Sequence, residues 1–440
     1  MHRTHVSWCL TLISAVLLVA GCSRPVIIER SGELPALDRV PIVLLPGIGR
    51  EVADQLRGGT LMPLSGLALR TDVQALASLG DPRFPADGAD ALTVATRLDR
   101  SLRLATVRGL QGLITYLIRE HGYIRGNPEG PSDKDYLDNP PNMRTDRTTS
   151  ASLFVVYYDW RRDIAENACV LASRIARIQA RTGALRVHLV GYSLGGVVAR
   201  YYLRYGGRDV ISNRDCPLGE AQSVNASGAA VVERLVTLGA PHRGSFLSFR
   251  SLLQDFSLFG LHVGLREAVF TMPSGWELLP VADADGRVPL LYRAHDTEAV
   301  FLYDVKTWTE HGWLAPLQGA DDAQRIARTM LERALALHRR LEEPSAIEDR
   351  VQRLIVAGDC RPTQALAIVG RAGLEFLPRG YAGGPHVATV TVPGDGVVSR
   401  DSALGIRPAP TVNPLTLCTT HGTYTADPDL LSHLVHFLGL

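Results

Sequence analysis

Val187-His-Leu-Val-Gly-Tyr-Ser-Leu-Gly-Gly-Val-Val-Ala-Arg-Tyr-Tyr-Leu203 reads as a strand, a tight turn and a helix in immediate succession. Val187–Val190 is apolar on both faces, as interior strands of a parallel sheet are. Gly195–Tyr205 is a helix-like stretch. Between them, Gly191-Tyr192-Ser193-Leu194-Gly195 is the one G-x-S-x-G of the chain, in the strand–turn–helix setting that gives this motif its meaning. The glycines are needed because side chains beside so tight a turn would meet neighbouring backbone. Ser193 is left standing above the sheet, near the positive end of the following helix, as the candidate nucleophile.

The strand pattern recurs on both sides of this stretch. Apolar runs at Val40–Leu45, Leu153–Tyr158, Val232–Leu238, Leu354–Ala357 and Val387–Val392 are interleaved with helix-like segments such as Ile164–Thr182. That spacing predicts an α/β fold with a mostly parallel sheet and flanking helices. Two insertions interrupt it, at about 51–150 and 244–350. In the second, Phe246, Phe249, Leu253 and Phe256 fall at helical spacing. Ala323–Glu342 then reads as an amphipathic helix with Ile326, Met330, Ala334, Leu337 and Leu341 on one face. Long insertions in a compact domain commonly cover a site. The aromatic stripe Phe246, Phe249, Phe256 and Phe259 is therefore read as a lid, with an ordinary core between cap and sheet as the alternative.

A serine hydroxyl needs a base and an orienting acid, and in this setting they follow in the order Ser…Asp…His. Gly394-Asp395-Gly396 follows the run Val387–Val392, which puts Asp395 on a turn at a strand's carboxyl end; Asp359, after Leu354–Ala357, is the competing acid. His421-Gly422 lies in a loop before the last helical stretch, Pro428–Leu438. His433 and His436 fall within that helix, and His386 precedes the acid. The expected triad is Ser193, Asp395 and His421. The oxyanion formed in acyl transfer needs two N–H donors, for which the backbone of Leu194 and of Ile48, in the turn after the first strand, are the candidates.

The chain has 440 residues, 46% hydrophobic and 21% charged, which excludes a disordered or collagen-like protein. Lys and Arg total 46 against 45 Asp and Glu, scattered along the chain, so nothing favours a nucleic-acid partner. Residues 1–21 read as a signal peptide: Arg3 is their only charge, Val6–Ala20 is apolar, and Val19-Ala-Gly-Cys22 resembles the lipobox of bacterial lipoproteins. The expectation is cleavage before Cys22, lipidation of its sulfur, a tether over 22–38, a hydrolase-type domain over 39–440, and a cell-envelope location, outer membrane favoured. Cys9 leaves with the signal. Cys169, Cys216, Cys360 and Cys418 remain and allow three connectivities. The pairing Cys169–Cys216 with Cys360–Cys418 is favoured, free buried thiols being the alternative. No Cys/His spacing suits a metal, and no cofactor is implied.

A resemblance runs from about Val40 to the C-terminus. Pro41-Ile-Val-Leu-Leu-Pro-Gly-Ile-Gly49, Tyr158-Asp-Trp-Arg161, Gly191-Tyr-Ser-Leu-Gly195, Leu238-Gly-Ala-Pro-His-Arg-Gly-Ser245, Met272-Pro-Ser274 with Leu278-Leu-Pro280, Gly394-Asp-Gly396 and His421-Gly422 stand in this order. The series resembles the lecithin–cholesterol acyltransferase family, whose relatives include lysosomal phospholipase A2 and phospholipid:diacylglycerol acyltransferase. The resemblance implies an α/β-hydrolase core, the same triad, a lid and membrane-contacting subdomain within the insertions, and Trp160 beside the acyl chain. Two departures stand out: Val397-Val398 where the family has threonine-valine, and Tyr192 where it has histidine. The leading expectation is a serine-dependent lipid acyl hydrolase or O-acyltransferase working at a membrane surface. A general carboxylesterase or lipase, and a catalytically dead lipid-anchored binding protein, are the alternatives.

Overall fold

A computed structural model describes residues 39–48, 108–128, 151–218, 222–254, 256–258, 261–263, 269–270, 272–281, 287–292, 296–314, 323–370, 373–376 and 390–440. The signal and tether readings, Cys22, Gly49, Phe259, His386 and most of the first insertion lie outside the described residues.

The main sheet is built from β1 (Ile42–Leu45), β2 (Arg125–Gly126), β3 (Leu153–Val155), β4 (Val187–Tyr192), β5 (Val232–Leu238), β6 (Gln352–Gly358) and β7 (Val412–Leu417). Its spatial order is β7-β6-β5-β4-β1-β3-β2, and every neighbouring pair is parallel. Alternation along the strands divides their side chains between two cores. Val43, Leu45, Phe154, Leu189 and Leu235 pack on one face, under α2 (Ile164–Thr182) and α3 (Leu194–Tyr205). Ile42, Leu44, Leu153, Val190, Val236 and Val356 pack on the other, under α1 (Arg108–His121) and the C-terminal helix Pro428–Leu438. This is an α/β-hydrolase architecture, with helices on both faces of a parallel sheet.

Local sequence explains the helix limits. Asp163 caps α2 by accepting from the Ala165 N–H at 2.7 Å, and Gly183 ends it in the left-handed conformation. The last helix starts on Asp427-Pro428 and stops at Gly439, φ 77°.

The run expected as a sixth sheet strand is placed differently. Of Val387–Val392 only the end is described, and the strand there is Thr391–Gly394, paired antiparallel with Arg361–Gln364 outside the main sheet. The place beside β6 is taken by β7, whose Asn413, Pro414 and Thr416 interrupt the apolar pattern that would have announced it. β7 is an edge strand, where a proline is tolerated.

The second insertion folds around an aromatic core of its own. α4 (Phe246–Leu253) sets Phe249 against Trp308, Trp313 and Phe376, with ring centroids 5.2–6.0 Å apart. The core also takes in Ala367 and, at its margin, Leu374 and Phe376, so the inserted material reaches past residue 350. α5 (Ala323–Glu342) spans the two regions: Ile326, Met330 and Ala334 lie in the aromatic core, Leu337 and Leu341 in the main one. Its C-terminal carbonyls are capped from α3. Arg200 and Arg204 both donate to Leu341 O, and Arg204 also to Glu343 O. Buried Glu348 accepts from both arginines and pairs with Arg353 at 2.8 Å.

Disulfides join Cys169 to Cys216 and Cys360 to Cys418. The first is buried against the main core; the second is exposed, just beyond the ends of β6 and β7.

Candidate active site

β4 delivers Ser193 with φ 55° and ψ −127°, a conformation sparsely populated for any residue but glycine. The glycines around it are there for space. A Cβ on Gly191 would lie 2.5 Å from Gly196 Cα, and one on Gly195 would lie 2.5 Å from the carbonyl oxygens of Leu45 and Pro46. The turn after β1 therefore presses directly on the serine loop. Ser193 is almost fully buried and stands at the N-cap of α3. The Leu194 N–H is the first of that helix and has no acceptor within it.

His421 Nε2 lies 2.9 Å from Ser193 Oγ, and His421 Nδ1 lies 2.8 Å from Asp395 Oδ2. Thus Ser193 and, more than two hundred residues further along the chain, Asp395 and His421 form one line of hydrogen bonds. A hydroxyl so placed can pass its proton to the ring as its oxygen attacks a carbonyl carbon, and the carboxylate orients the ring and stabilises its charged form.

Asp395 sits on the end of β6 although another segment carries it: a Cβ on Gly358 would lie 2.7 Å from Asp395 Cβ. Its Oδ1 accepts from the N–H groups of Val397 and Val398 at 2.9 and 2.7 Å. Val397, which stands where the resemblance implies threonine, therefore serves the acid through its backbone, as Val398 does. Burial works to raise the Asp395 pKa, but the adjacent His421 ring and these N–H groups outweigh it and hold the carboxyl below its ordinary value. Asp359 is half-buried; its N–H donates to Leu417 O, and Asp395 is the carboxylate that meets His421. His433 and His436 are exposed on the last helix.

The other departure, Tyr192, donates its hydroxyl to the carbonyl of His421, which pins the histidine loop to the end of β4. Tyr424 is the functional candidate that sequence reading missed. Its buried hydroxyl lies 2.9 Å from Asp395 Oδ2 and accepts from the Gly358 N–H at 2.8 Å. The only signal for it is position: a lone aromatic in the loop Thr419-Thr-His-Gly-Thr-Tyr424.

Tyr158 OH donates to Pro46 O at 2.6 Å and so braces the turn that carries Ile48. Asp159 grips Arg161 through two bonds of 2.7 Å, and the Arg161 carbonyl accepts from the Ser274 N–H. The Tyr158–Arg161 and Met272–Ser274 motifs are thereby joined. Trp160 and Ile48 are partly exposed at the rim of the main core.

The aromatic stripe is where the structure departs most from expectation. α4 ends at Leu253, Phe256 falls in the short strand Phe256–Leu258, and Phe249 is fully enclosed. Phe246 is buried in the same cluster. An apolar helix face packs against whatever large apolar partners the fold supplies, here three tryptophans, so these two residues lie in a core internal to the inserted material, not between cap and sheet.

No protein-family model matches this chain, and no curated protein matches it. Among solved structures it is similar to the Tle4–Tli4 complex at 13% identity, covering 66% of this chain and 69% of that one, with a TM-score of 0.42. It is also similar to EstA from Clostridium botulinum, at 13% identity over 66% of this chain and 78% of that one, TM-score 0.33. The mature lipase BlEst2 of Bacillus licheniformis shares 16% identity over 62% of this chain and 74% of that one, TM-score 0.29. The roles of individual side chains rest on the geometry above.

Proposed function

We propose that this chain is a serine ester hydrolase acting on lipid esters through an acyl-enzyme on Ser193. The observation that carries the reading is the unbroken line from Ser193 Oγ through His421 to buried Asp395. In the first half-reaction Ser193 Oγ bonds to the ester carbonyl carbon as His421 Nε2 takes its proton. The Leu194 N–H, with that of Ile48, receives the oxyanion. When the intermediate collapses the carbon–oxygen bond breaks, and His421 returns the proton to the departing alcohol. In the second half-reaction the acceptor gives its proton to His421 while attacking the acyl carbon, and Ser193 leaves reprotonated.

Water as acceptor makes a lipase or phospholipase; a lipid alcohol makes an O-acyltransferase. The acyl-transfer reading rests on the seven ordered motifs shared with lecithin–cholesterol acyltransferases. The carboxylesterase reading draws support from the burial of Phe249, which removes one argument for a lid that opens on lipid. A lipid anchor on Cys22 would hold the enzyme at a bilayer of the cell envelope and raise its concentration near long-chain esters. No helix among the described residues is long and apolar enough to cross a membrane.

The experiment is covalent labelling by a fluorophosphonate, with turnover of a short-chain ester and of phospholipid vesicles, with and without a long-chain alcohol. Labelling should vanish in Ser193→Ala. Labelling that persists in that variant would remove Ser193 as the nucleophile. Transfer to the alcohol would identify an acyltransferase, and free fatty acid alone a hydrolase. Faster turnover of the soluble ester, unaffected by lipid, would identify the carboxylesterase.

A further inference from the structure

Asp395 is an acid whose carrier segment is not part of the main sheet: Thr391–Gly394 pairs with Arg361–Gln364 in a separate two-stranded sheet. The two N–H groups on its Oδ1 belong to its own turn and would move with it. What ties the carboxylate to the sheet is Oδ2, which meets His421 and one further group, the Tyr424 hydroxyl. The direction of that bond is fixed by chemistry. The Gly358 N–H can only donate, and it points at the phenol oxygen from 2.8 Å, so the phenol proton is free to go to Asp395.

The surroundings are shaped to the tyrosine. Its ring is fully buried in the core on the α1 face of the sheet. Gly239, at φ 55°, leaves the room: a Cβ there would lie 2.7 Å from Tyr424 Cε2, 2.9 Å from its hydroxyl and 3.0 Å from Asp395 Oδ2. The next residue, Thr425, donates to Gly109 O at 2.9 Å and secures the turn against α1. The titratable groups facing the hydroxyl are Asp395, His421 and Tyr192; β5 and β6 contribute only Gly239 and Gly358. Burial and the neighbouring carboxylate both raise the Tyr424 pKa, so the group keeps its proton throughout the working range.

We propose that Tyr424 is a positioning residue: by donating to Asp395 Oδ2 it clips the acid to the end of β6 and shares the oxygen on which His421 relies. The inference rests on the reading of Ser193, His421 and Asp395 as the catalytic set. Two donors on one oxygen spread its charge, so losing the phenol makes that oxygen a stronger acceptor for the charged ring while freeing the carboxylate to turn. The charged ring is then favoured, and catalysis, which needs a neutral base, is pushed to higher pH.

The test measures kcat, KM and the pH profile of kcat/KM on p-nitrophenyl butyrate, using the full chain. It compares wild type, Tyr424→Phe, a protein with 3-fluorotyrosine at position 424, and Ser193→Ala. Tyr424→Phe should lower kcat roughly tenfold with KM within about twofold, and move the acid limb to higher pH. The fluorinated ring keeps the shape and strengthens the donor, so it should move the limb to lower pH; it carries the test alone if the phenylalanine variant fails to fold. Acid limbs unmoved in the folded variants would mark a packing role and overturn the proposal, whatever happens to kcat. Turnover surviving in Ser193→Ala would instead overturn the reading of the site beneath it.

Discussion

Ser193 takes its position mainly from its immediate neighbours in sequence, the glycines at 191, 195 and 196, backed by the turn after β1 and by the Leu238 carbonyl, which accepts from the Ser193 N–H at 2.9 Å. Asp395 and His421 take theirs from groups scattered along the chain: Gly239, Gly358, the Cys360–Cys418 bond, Thr363 and Tyr424. The nucleophile is thus a local structure, and the acid–base pair an assembled one. A local structure is set by steric exclusion and survives changes elsewhere. An assembled one depends on several tertiary links holding together, and its failures should show in catalysis before they show in the fold.

The sharpest way to break this comparison is at the acid itself. Asp395→Asn keeps the size of the side chain but presents the wrong group to His421 Nδ1, and should lower kcat by about 10⁴-fold. Asp359→Asn should stay within about twofold. The check is steady-state turnover of both variants, with circular dichroism to confirm the fold. The reverse pattern would mean that the acid is carried by β6 itself.

Under the nucleophile side lies a different vulnerability. Glu348 is buried among Arg200, Arg204 and Arg353; burial opposes its ionisation, but the three guanidinium groups win and hold its pKa below the ordinary value. Glu348→Gln leaves Arg200 and Arg204 without their counter-charge, while Arg353 keeps Asp349 at 2.7 Å, and should cost about 3–5 kcal/mol of stability in urea unfolding. kcat per folded molecule should stay within about twofold, since α3 still presents Leu194 to the site. A large fall in kcat without loss of stability would show that Ser193 is not set locally.

The two disulfides sharpen the contrast. They join residues 47 and 58 positions apart, so chain entropy gives each about 4 kcal/mol and cannot tell them apart. Position does. Cys169–Cys216 lies buried against the main core, whereas Cys360–Cys418 is exposed three residues before His421. Removing the first as Cys169→Ser with Cys216→Ser should lower Tm and leave kcat unchanged. Removing the second should lower kcat several-fold for a comparable or smaller fall in Tm. Mild reduction of the wild type should reach the exposed bond first and reproduce that loss. Equal effects on kcat would dissolve the distinction between the two regions.

The same distinction decides what could be read from the sequence. The strand–turn–helix around Ser193 and the limits of Ile164–Thr182, Val232–Leu238, Ala323–Glu342 and Pro428–Leu438 follow from periodicity and caps, which are local. β7 was not legible because its alternation is broken by polar residues and Pro414 on an edge strand. The support of Asp395 looks in the sequence like an ordinary sheet strand, since nothing local marks Thr391–Gly394 as pairing with Arg361–Gln364 instead. Phe246 and Phe249 were legible as an apolar face but not as to what covers it. That depends on tryptophans up to about sixty residues away, brought in by tertiary packing. Tyr424 has no pattern at all, because its role exists only once three strand ends have met.

The smallest expected effect lies in the acid limb of stability. The native Asp395 carboxyl has a pKa below its unfolded value, so as pH falls the unfolded chain takes up the proton first. Its contribution to stability is complete above the unfolded carboxyl range, near pH 4, and is lost as pH falls through the native pKa. Asp395→Asn removes that contribution. Below about pH 4 its unfolding free energy should fall less steeply than that of the wild type, by at most the slope of one proton, about 1.4 kcal/mol per pH unit. Glu348 has the same sign and remains in the variant, so a residual acid slope is expected there and should flatten further in the double variant with Glu348→Gln. Urea unfolding between pH 3 and 6 measures this directly. Superimposable slopes for wild type and Asp395→Asn would mean that the bonds from His421, Tyr424, Val397 and Val398 do not favour the ionised acid in solution. The assembled half of the site would then be looser than its geometry.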